Sequence, residues 1–308
     1  MKHLLSVMDA SEDLEDLLSE AARYKEARRQ GSHEDTLREK TLAMIFEKAS
    51  TRSRISFEVG MTHLGGAALY LNRQDLQLGR GETLEDTAQV LSRYVDAILY
   101  RAYRHADVVR LAQAASVPVI NGLDDLEHPA QILSDLFTIK EALGELRGRK
   151  LSYVGDGNNV CNSLLLGCAL TGMNIAVASP SGYEPDAGIL ATAERVASEG
   201  GSWVKVLQDP TEAVDGADII YTDVWVSMGM EEEREEREQV FRPYQVNRDL
   251  VGRAAGNVRV MHDLPAHRGL EITDEVIDGP ASLVWEQAEN RLHMQKALLV
   301  QLLGGGGS

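Results

Sequence analysis

The stretch Thr41-Leu-Ala-Met-Ile-Phe-Glu47, followed by Lys48-Ala-Ser-Thr-Arg52 and then by Ile55-Ser-Phe-Glu-Val-Gly-Met-Thr-His-Leu-Gly-Gly66, decides the fold. The first run is apolar and of strand length, the second is polar and turn-like, and the third has helical spacing. Strand, polar turn and helix form the repeating unit of an α/β protein, and the unit recurs on both sides. Downstream come AALYLN at 67–72, a helical ETLEDTAQVLSRY at 82–94, AILYRA at 97–102, a helical ADVVRLAQAA at 106–115 and VPVINGL at 117–123. Upstream, Ser11 is placed to cap a helix that carries Leu14, Leu17, Leu18 and Ala21 on one stripe and stops near Gly31. Strands separated by helices predict a mostly parallel sheet covered on both faces.

From Pro129, an acceptable first-turn proline, AQILSDLFTIKEALGEL at 130–146 reads as one helix connecting two halves. After Gly148-Arg149-Lys150 the alternation restarts: a strand from Lys150, helix NSLLLGCALTGM, strand NIAVASP, helix GILATAERVASEGG, strand WVKVLQ, helix TEAVDGA and strand DIIYTDV. A further strand, VRVMHDLP at 258–265, precedes a long terminal helix. A chain of 308 residues exceeds the ~250–300 at which single cores stop growing. The expected fold class is therefore α/β, with two doubly wound domains of mostly parallel sheet joined by interdomain helices. The expected boundaries are 1–135 plus the terminal helix at about 286–303, then 148–285, with GGGGS at 304–308 as a flexible tail.

Composition narrows the function. The chain holds 31 Lys+Arg against 48 Asp+Glu, a formal net charge of −17, which repels nucleic-acid backbones and anionic lipid surfaces. No apolar run approaches the ~18 residues of a membrane span. The opening MKHLLSVMDASEDLEDLL lacks the apolar core of a secretory signal, so a cytoplasmic location is expected. Cys161 and Cys168, in an apolar stretch, suit reduced buried thiols, and no Cys/His spacing suggests zinc. The acidic run EEEREERE at 231–238 reads as a solvated helical face. Against this background, clustered arginines mark places that hold an anion.

Such a cluster lies at Ser50-Thr51-Arg52-Ser53-Arg54, between the first strand and its helix. Unpaired N–H groups and the dipole of a helix start favour an anion there, and Arg52 adds a charged fork. Ser50 could equally be a simple N-cap, and Arg54 is expected to pair with Glu47 or Glu58. Arg101 ends the strand AILY, where open α/β sheets place ligand contacts. His128, in Glu127-His-Pro-Ala-Gln131, sits at a helix entry with Gln131 one turn on. In the second half, Gly155-Asp-Gly-Asn-Asn159 fails the dinucleotide spacing, because its third glycine position is Val160. Its asparagines suit a polar zwitterion. Asp223-Val-Trp-Val-Ser227-Met228-Gly229 offers an acid for an ammonium group and a turn for a carboxylate. His262-Asp263-Leu264-Pro265 and Glu289-Asn-Arg291 complete the set.

Together these segments resemble the aspartate/ornithine carbamoyltransferase superfamily, with motifs most similar to its ornithine branch, over nearly the whole chain from about Leu42. STRSR resembles the family's Ser-Thr-Arg-Thr-Arg, HPAQ its His-Pro-x-Gln, and DVWVSMG its Asp-x-x-x-Ser-Met-Gly; the last disfavours aspartate as second substrate. The resemblance implies that Ser50, Thr51, Arg52, Ser53, Arg101 and Arg291 hold the phosphate of carbamoyl phosphate. Gln77 would be donated across a subunit boundary of a homotrimer or an assembly of trimers. His128, with Arg101 and Thr51, would polarise the carbamoyl oxygen, and Gln131 would bind the carbamoyl amide. Asn159, Asp223, Ser227 and Met228 would grip the α-amino and α-carboxylate groups of L-ornithine, with the Ser-Met-Gly segment closing over it. Neither metal nor cofactor is implied. One position departs: the family's His-Cys-Leu-Pro is here His-Asp-Leu-Pro. The carbonyls of Asp263 and Leu264 can still accept from the reacting amine and the carbamoyl amide, but a carboxylate at 263 sets two acids in competition, predicting a shifted pH optimum or weaker catalysis. With only eight lysines, the basic residues are mostly arginine, and the acid excess suits a protein kept soluble in high salt.

Overall fold

A computed structural model describes residues 1–32, 34–226 and 231–304. The chain divides into two compact units, the first formed by Met1–Phe137 with the segment from Glu289 onward, the second by Thr138–Ala288.

The first unit opens with a 3₁₀ turn, Val7–Ala10, held by a capping box between Ser6 and Asp9. Helix α1 then spans Leu14–Arg29. Ser11, expected as its cap, instead ends the preceding turn, and the cap position of α1 is taken by Asp13, which makes no side-chain cap bond. Strand β1 (Thr41–Phe46) leads to α2 (Thr51–His63), then β2 (Ala67–Asn72), α3 (Leu84–Leu91), β3 (Ala97–Arg101), α4 (His105–Ala114), β4 (Val119–Leu123) and α5 (Pro129–Leu143). The sheet is parallel throughout, in the order β2-β1-β3-β4. β1 and β3 are buried almost end to end, which explains their unbroken apolar runs: both faces are covered. Ala43, Ile45, Ile98, Tyr100, Val108, Leu111 and Val119 form the core on one side of it.

In the second unit β5 (Lys150–Val154) is followed by α6 (Asn159–Thr171), β6 (Asn174–Ala178), α7 (Ala187–Gly200), β7 (Val204–Leu207), α8 (Pro210–Val214) and β8 (Ile219–Thr222). Then come α9 (Arg234–Phe241), α10 (Arg248–Val251), β9 (Arg259–His262), α11 (Asp274–Ile277) and α12 (Val284–Leu303), whose residues from Glu289 on belong to the first unit. The five strands are again parallel, ordered β7-β6-β5-β8-β9. Val154, Ile220, Trp225, Phe241, Tyr244, Val260 and Ile277 build its core. Cys161 and Cys168 are buried free thiols held protonated by burial. No helix among the described residues is long and apolar enough to cross a membrane.

Strand order reverses direction once in each sheet, between β1 and β3 and between β5 and β8. A crevice opens beyond the strand ends at such a point. The described residues of the motifs singled out at strand ends in the sequence fall at or beside one of these two places.

Gly157 shows why the Gly-Asp-Gly turn needs its glycines without a dinucleotide. Its N–H donates to the Tyr183 carbonyl at 2.8 Å, and a Cβ there would collide with the backbone of Glu184 and Pro185. Gly157→Ala is accordingly expected to cost about 1–3 kcal/mol of stability. An unaltered thermal unfolding midpoint in that variant would show that the close approach is not required.

Candidate active site

In the first unit the register pairs Phe46 at the end of β1 with Arg101 at the end of β3. The chain leaving β1 is anchored by Glu47, whose nearly buried carboxylate accepts from the Tyr103 N–H at 2.7 Å and pairs with Arg73 at 2.8 Å. This ties the two strand ends together and fixes where Arg101 emerges. Ser50 is the N-cap of α2, accepting from the Ser53 N–H at 3.3 Å, so its capping role holds whatever else it does. Arg54 pairs with Glu58 at 3.5 Å and stacks on Tyr70. On the outer face of α2 a groove of about 670 Å³ is lined by Ser50, Thr51, Arg54, Ile55, Glu58 and Tyr70.

His128 is placed by the turn before α5. Buried Asp124 accepts from the Leu126 and Glu127 N–H groups at 2.8 Å each and from Asn121, and it pairs with His105 at 2.7 Å. Glu127 in turn accepts from the Val7 N–H at 3.0 Å. The imidazole of His128 is fully enclosed and held well below the usual histidine range, first by burial and then by the positive charges of Arg291, Arg101 and Arg52. It is therefore neutral at physiological pH, a donor at one nitrogen and an acceptor at the other. Buried Arg291, from α12, donates to Gln131 Oε1 and, at 2.6 Å, to Ser53 Oγ. Gln131 passes one amide N–H to the buried carboxylate of Asp135 at 2.8 Å. Arg52, Ser53, Arg101, His128, Gln131 and Arg291 thus form one network at the β1/β3 crevice. Gln77 stands apart, exposed in a 3₁₀ turn (Gln77–Arg80), and no hydrogen bond among the described residues joins it to this network.

In the second unit, Asn158 caps α6, accepting from the N–H groups of Val160 (3.0 Å) and Cys161 (3.1 Å). Its amide nitrogen donates to Asp223 Oδ2 at 2.9 Å. Thr222 pairs with His262 across β8 and β9, so Asp223 and Asp263 leave neighbouring strands side by side. Burial, and next the like charge of Asp263, push the Asp223 carboxyl up to about 6, against the hydrogen bonds from the Val224 N–H and Asn158. His262 accepts the Leu264 N–H at Nδ1 (2.8 Å), so its proton sits on Nε2, facing Glu271 at 3.1 Å. That pair sets the turn at Leu264, whose φ is +62°. Asn159, expected at the site, begins α6 beside Asn158; Ser227 and Met228 lie outside the described residues.

Sequence reasoning missed Asn158, Glu271 and Arg237. Arg237 lies inside the acidic run read as a solvated face, yet it is buried. It pairs with Asp156 and donates to the Trp225 carbonyl at 2.6 Å. Asn158 was detectable as the cap residue before an apolar helix; nothing in a charge run distinguishes one buried arginine.

A cationic, imidazole-centred crevice in one unit and an acid-lined crevice in the other suit a transferase that takes an anionic donor and an amine acceptor. Residues 2–141 match the model of the aspartate/ornithine carbamoyltransferase carbamoyl-P binding domain, and residues 147–302 that of the Asp/Orn binding domain. The chain is 60% identical over 304 residues to the ornithine carbamoyltransferase of Methanothermobacter thermautotrophicus, covering 99% of each. The solved ornithine carbamoyltransferase of Pyrococcus furiosus superposes with a TM-score of 0.96 at 55% identity, covering 99% of this chain and 98% of that one. The enzyme of Gloeobacter violaceus gives 0.88 at 46% identity, covering 98% and 99%. The chain belongs to the aspartate/ornithine carbamoyltransferase family.

The Asp223–Asp263 pair has a consequence for stability. Because the Asp223 carboxyl is raised, the folded chain keeps a proton that the unfolded chain has already released at the ordinary carboxylate value. The resulting stabilisation is complete below that value and is lost as pH rises through about 6. Asp263→Asn removes the like charge, so it is expected to raise stability relative to the parent by about 1 kcal/mol at pH 8 and by much less at pH 4. Equal differences at both pH values in thermal unfolding would contradict the coupling.

Proposed function

We propose that the protein transfers the carbamoyl group of carbamoyl phosphate to the side-chain amine of L-ornithine, giving L-citrulline and phosphate in arginine metabolism. The observation that carries this reading is the convergence of Arg52, Arg101 and Arg291 on the neutral His128 in a chain of net charge −17. In this reading Ser50, Thr51, Arg52, Ser53, Arg101 and Arg291 bind the phosphate. His128 and Arg101 donate to the carbamoyl oxygen, and Gln131 offers its amide to the carbamoyl nitrogen. Asn159, Asp223, Ser227 and Met228 bind ornithine, while the carbonyls of Asp263 and Leu264 receive N–H groups at the reacting end.

The chemistry follows from charge. The uncharged δ-amine attacks the carbamoyl carbon, and negative charge grows on the carbonyl oxygen as the nitrogen–carbon bond forms. The carbon–oxygen bond to phosphate then breaks, the leaving phosphate takes the bonding pair, and the nitrogen gives up its extra proton. Donors fixed before the reaction stabilise that charge without reorganising, and holding two substrates together removes the entropy of encounter. The Asp263 carboxylate favours the ammonium form of the amine, which cannot attack, and so moves the optimum toward higher pH.

The exposed Gln77 and the groove along α2, with Ile55 and Leu69 exposed nearby, support a homotrimer in which one subunit's Gln77 reaches another's site. The acid excess supports a protein kept soluble in high salt. A trimer mass by light scattering, with turnover rising toward molar KCl, is the expected pair of results; a monomer, or turnover indifferent to salt, would refute the respective claim.

Citrulline production from carbamoyl phosphate and ornithine tests the main reading, and its absence with ornithine but presence with another amine would overturn it. His128→Ala is expected to lower kcat by about 10²–10³. Since His128 stays neutral, the pH limbs of the remaining activity are expected at unchanged positions; a lost acidic limb would instead mean that the imidazolium takes part.

A further inference from the structure

Burying a guanidinium is costly unless it is paired and hydrogen-bonded. Arg237 meets that condition with partners from four parts of the second unit. It pairs with Asp156 in the turn after β5, donates from Nε to the Trp225 carbonyl after β8 at 2.6 Å, and lies 3.3 Å from Glu233 one turn back along the chain. Its flat group is 4.8 Å from the ring centre of Tyr183 and 5.4 Å from that of Phe241. The charge of Arg237 draws the Asp156 carboxyl down, but burial outweighs it and leaves that carboxyl at about 6.

Asp156 is two residues before Asn158, and Trp225 two residues after Asp223. The bond between Asn158 and Asp223 therefore spans the same two strand ends that Arg237 grips from behind. We infer that Arg237 is a positioning residue for the amino-acid substrate: through Asp156 and the Trp225 carbonyl it fixes the distance between the 155–158 turn and Asp223. Its contacts among the described residues all lie within the second unit, so its influence falls on the acceptor and not on the carbamoyl donor. The role requires a planar fork, since three partners in different directions and two ring faces must be met at once; a lysine keeps the charge and loses that geometry.

The inference rests on ornithine being the acceptor, and the experiment separates the two claims. Steady-state kinetics of Arg237→Lys, with folding checked by circular dichroism, are expected to show KM for ornithine raised about 10- to 100-fold and KM for carbamoyl phosphate within about twofold. Asp156→Asn is expected to shift the same constant, and the double variant to be little worse than either single one, because both act through one contact. Should Arg237→Lys fail to fold, Asp156→Asn carries the same comparison of the two KM values. An unchanged KM for ornithine, or equal losses for both substrates together with a lowered unfolding midpoint, would overturn the positioning role. A parent protein that turns over carbamoyl phosphate with a different amine would overturn the acceptor assignment instead, and the same kinetics would then be read with that amine.

Discussion

Three guanidinium groups brought to bear on one enclosed imidazole repel one another and the protonated form of that imidazole. Bonds from behind hold Arg291 and the strand that carries Arg101 in place. Arg291 is bonded to Gln131 and Ser53, Gln131 is bonded to Asp135, and the strand carrying Arg101 is locked to β1 by Glu47. The rest of the first unit serves that constraint. The parallel register sets Arg101 beside the end of β1, the Asp124 turn delivers His128, and the residues of α12 from Glu289 on return to supply Arg291. A dianion is the natural occupant of such a place, because it removes the repulsion that the fold otherwise maintains.

The second unit applies the same geometry with the opposite sign. At its strand-order reversal, the neighbouring ends of β8 and β9 bring two carboxyl groups together, and the Asn158 amide and the Val224 N–H limit the repulsion between them. A family thiol position occupied by Asp263 makes this site more acidic than the motif pattern implies. One crevice concentrates positive charge and the other negative, which is the division that a reaction between a phosphorylated donor and an amine requires.

Much of this was legible in the sequence, for physical reasons. Apolar strand-length runs alternating with helical periods could form only covered parallel sheets, and residues at strand ends had to lie at the crevices. STRSR, HPAQ and DVWVSMG were readable because their polar groups interrupt that pattern at strand ends. Three features were not. Ser11 ends a 3₁₀ turn capped by Ser6 and does not cap α1, since both serines precede acidic helical sequence and local pattern does not choose between them. Asn158 reads locally as a cap residue, and its bond to Asp223 joins residues 65 apart in sequence, which the local pattern does not encode. Arg237 escaped notice because its burial comes from contacts more than eighty residues away in sequence for Asp156, which no local charge pattern encodes.

Fixed guanidinium charge, with His128 neutral throughout, is what makes a donor site of the first crevice. This is tested most directly by calorimetric titration of carbamoyl phosphate at pH 8 in buffers of different ionisation enthalpy, which reads the protons exchanged on binding. The same binding enthalpy is expected in every buffer, meaning no net proton uptake. An enthalpy that varies with the buffer, corresponding to uptake of about one proton per site, would show that the imidazole becomes charged when the anion binds and would contradict it.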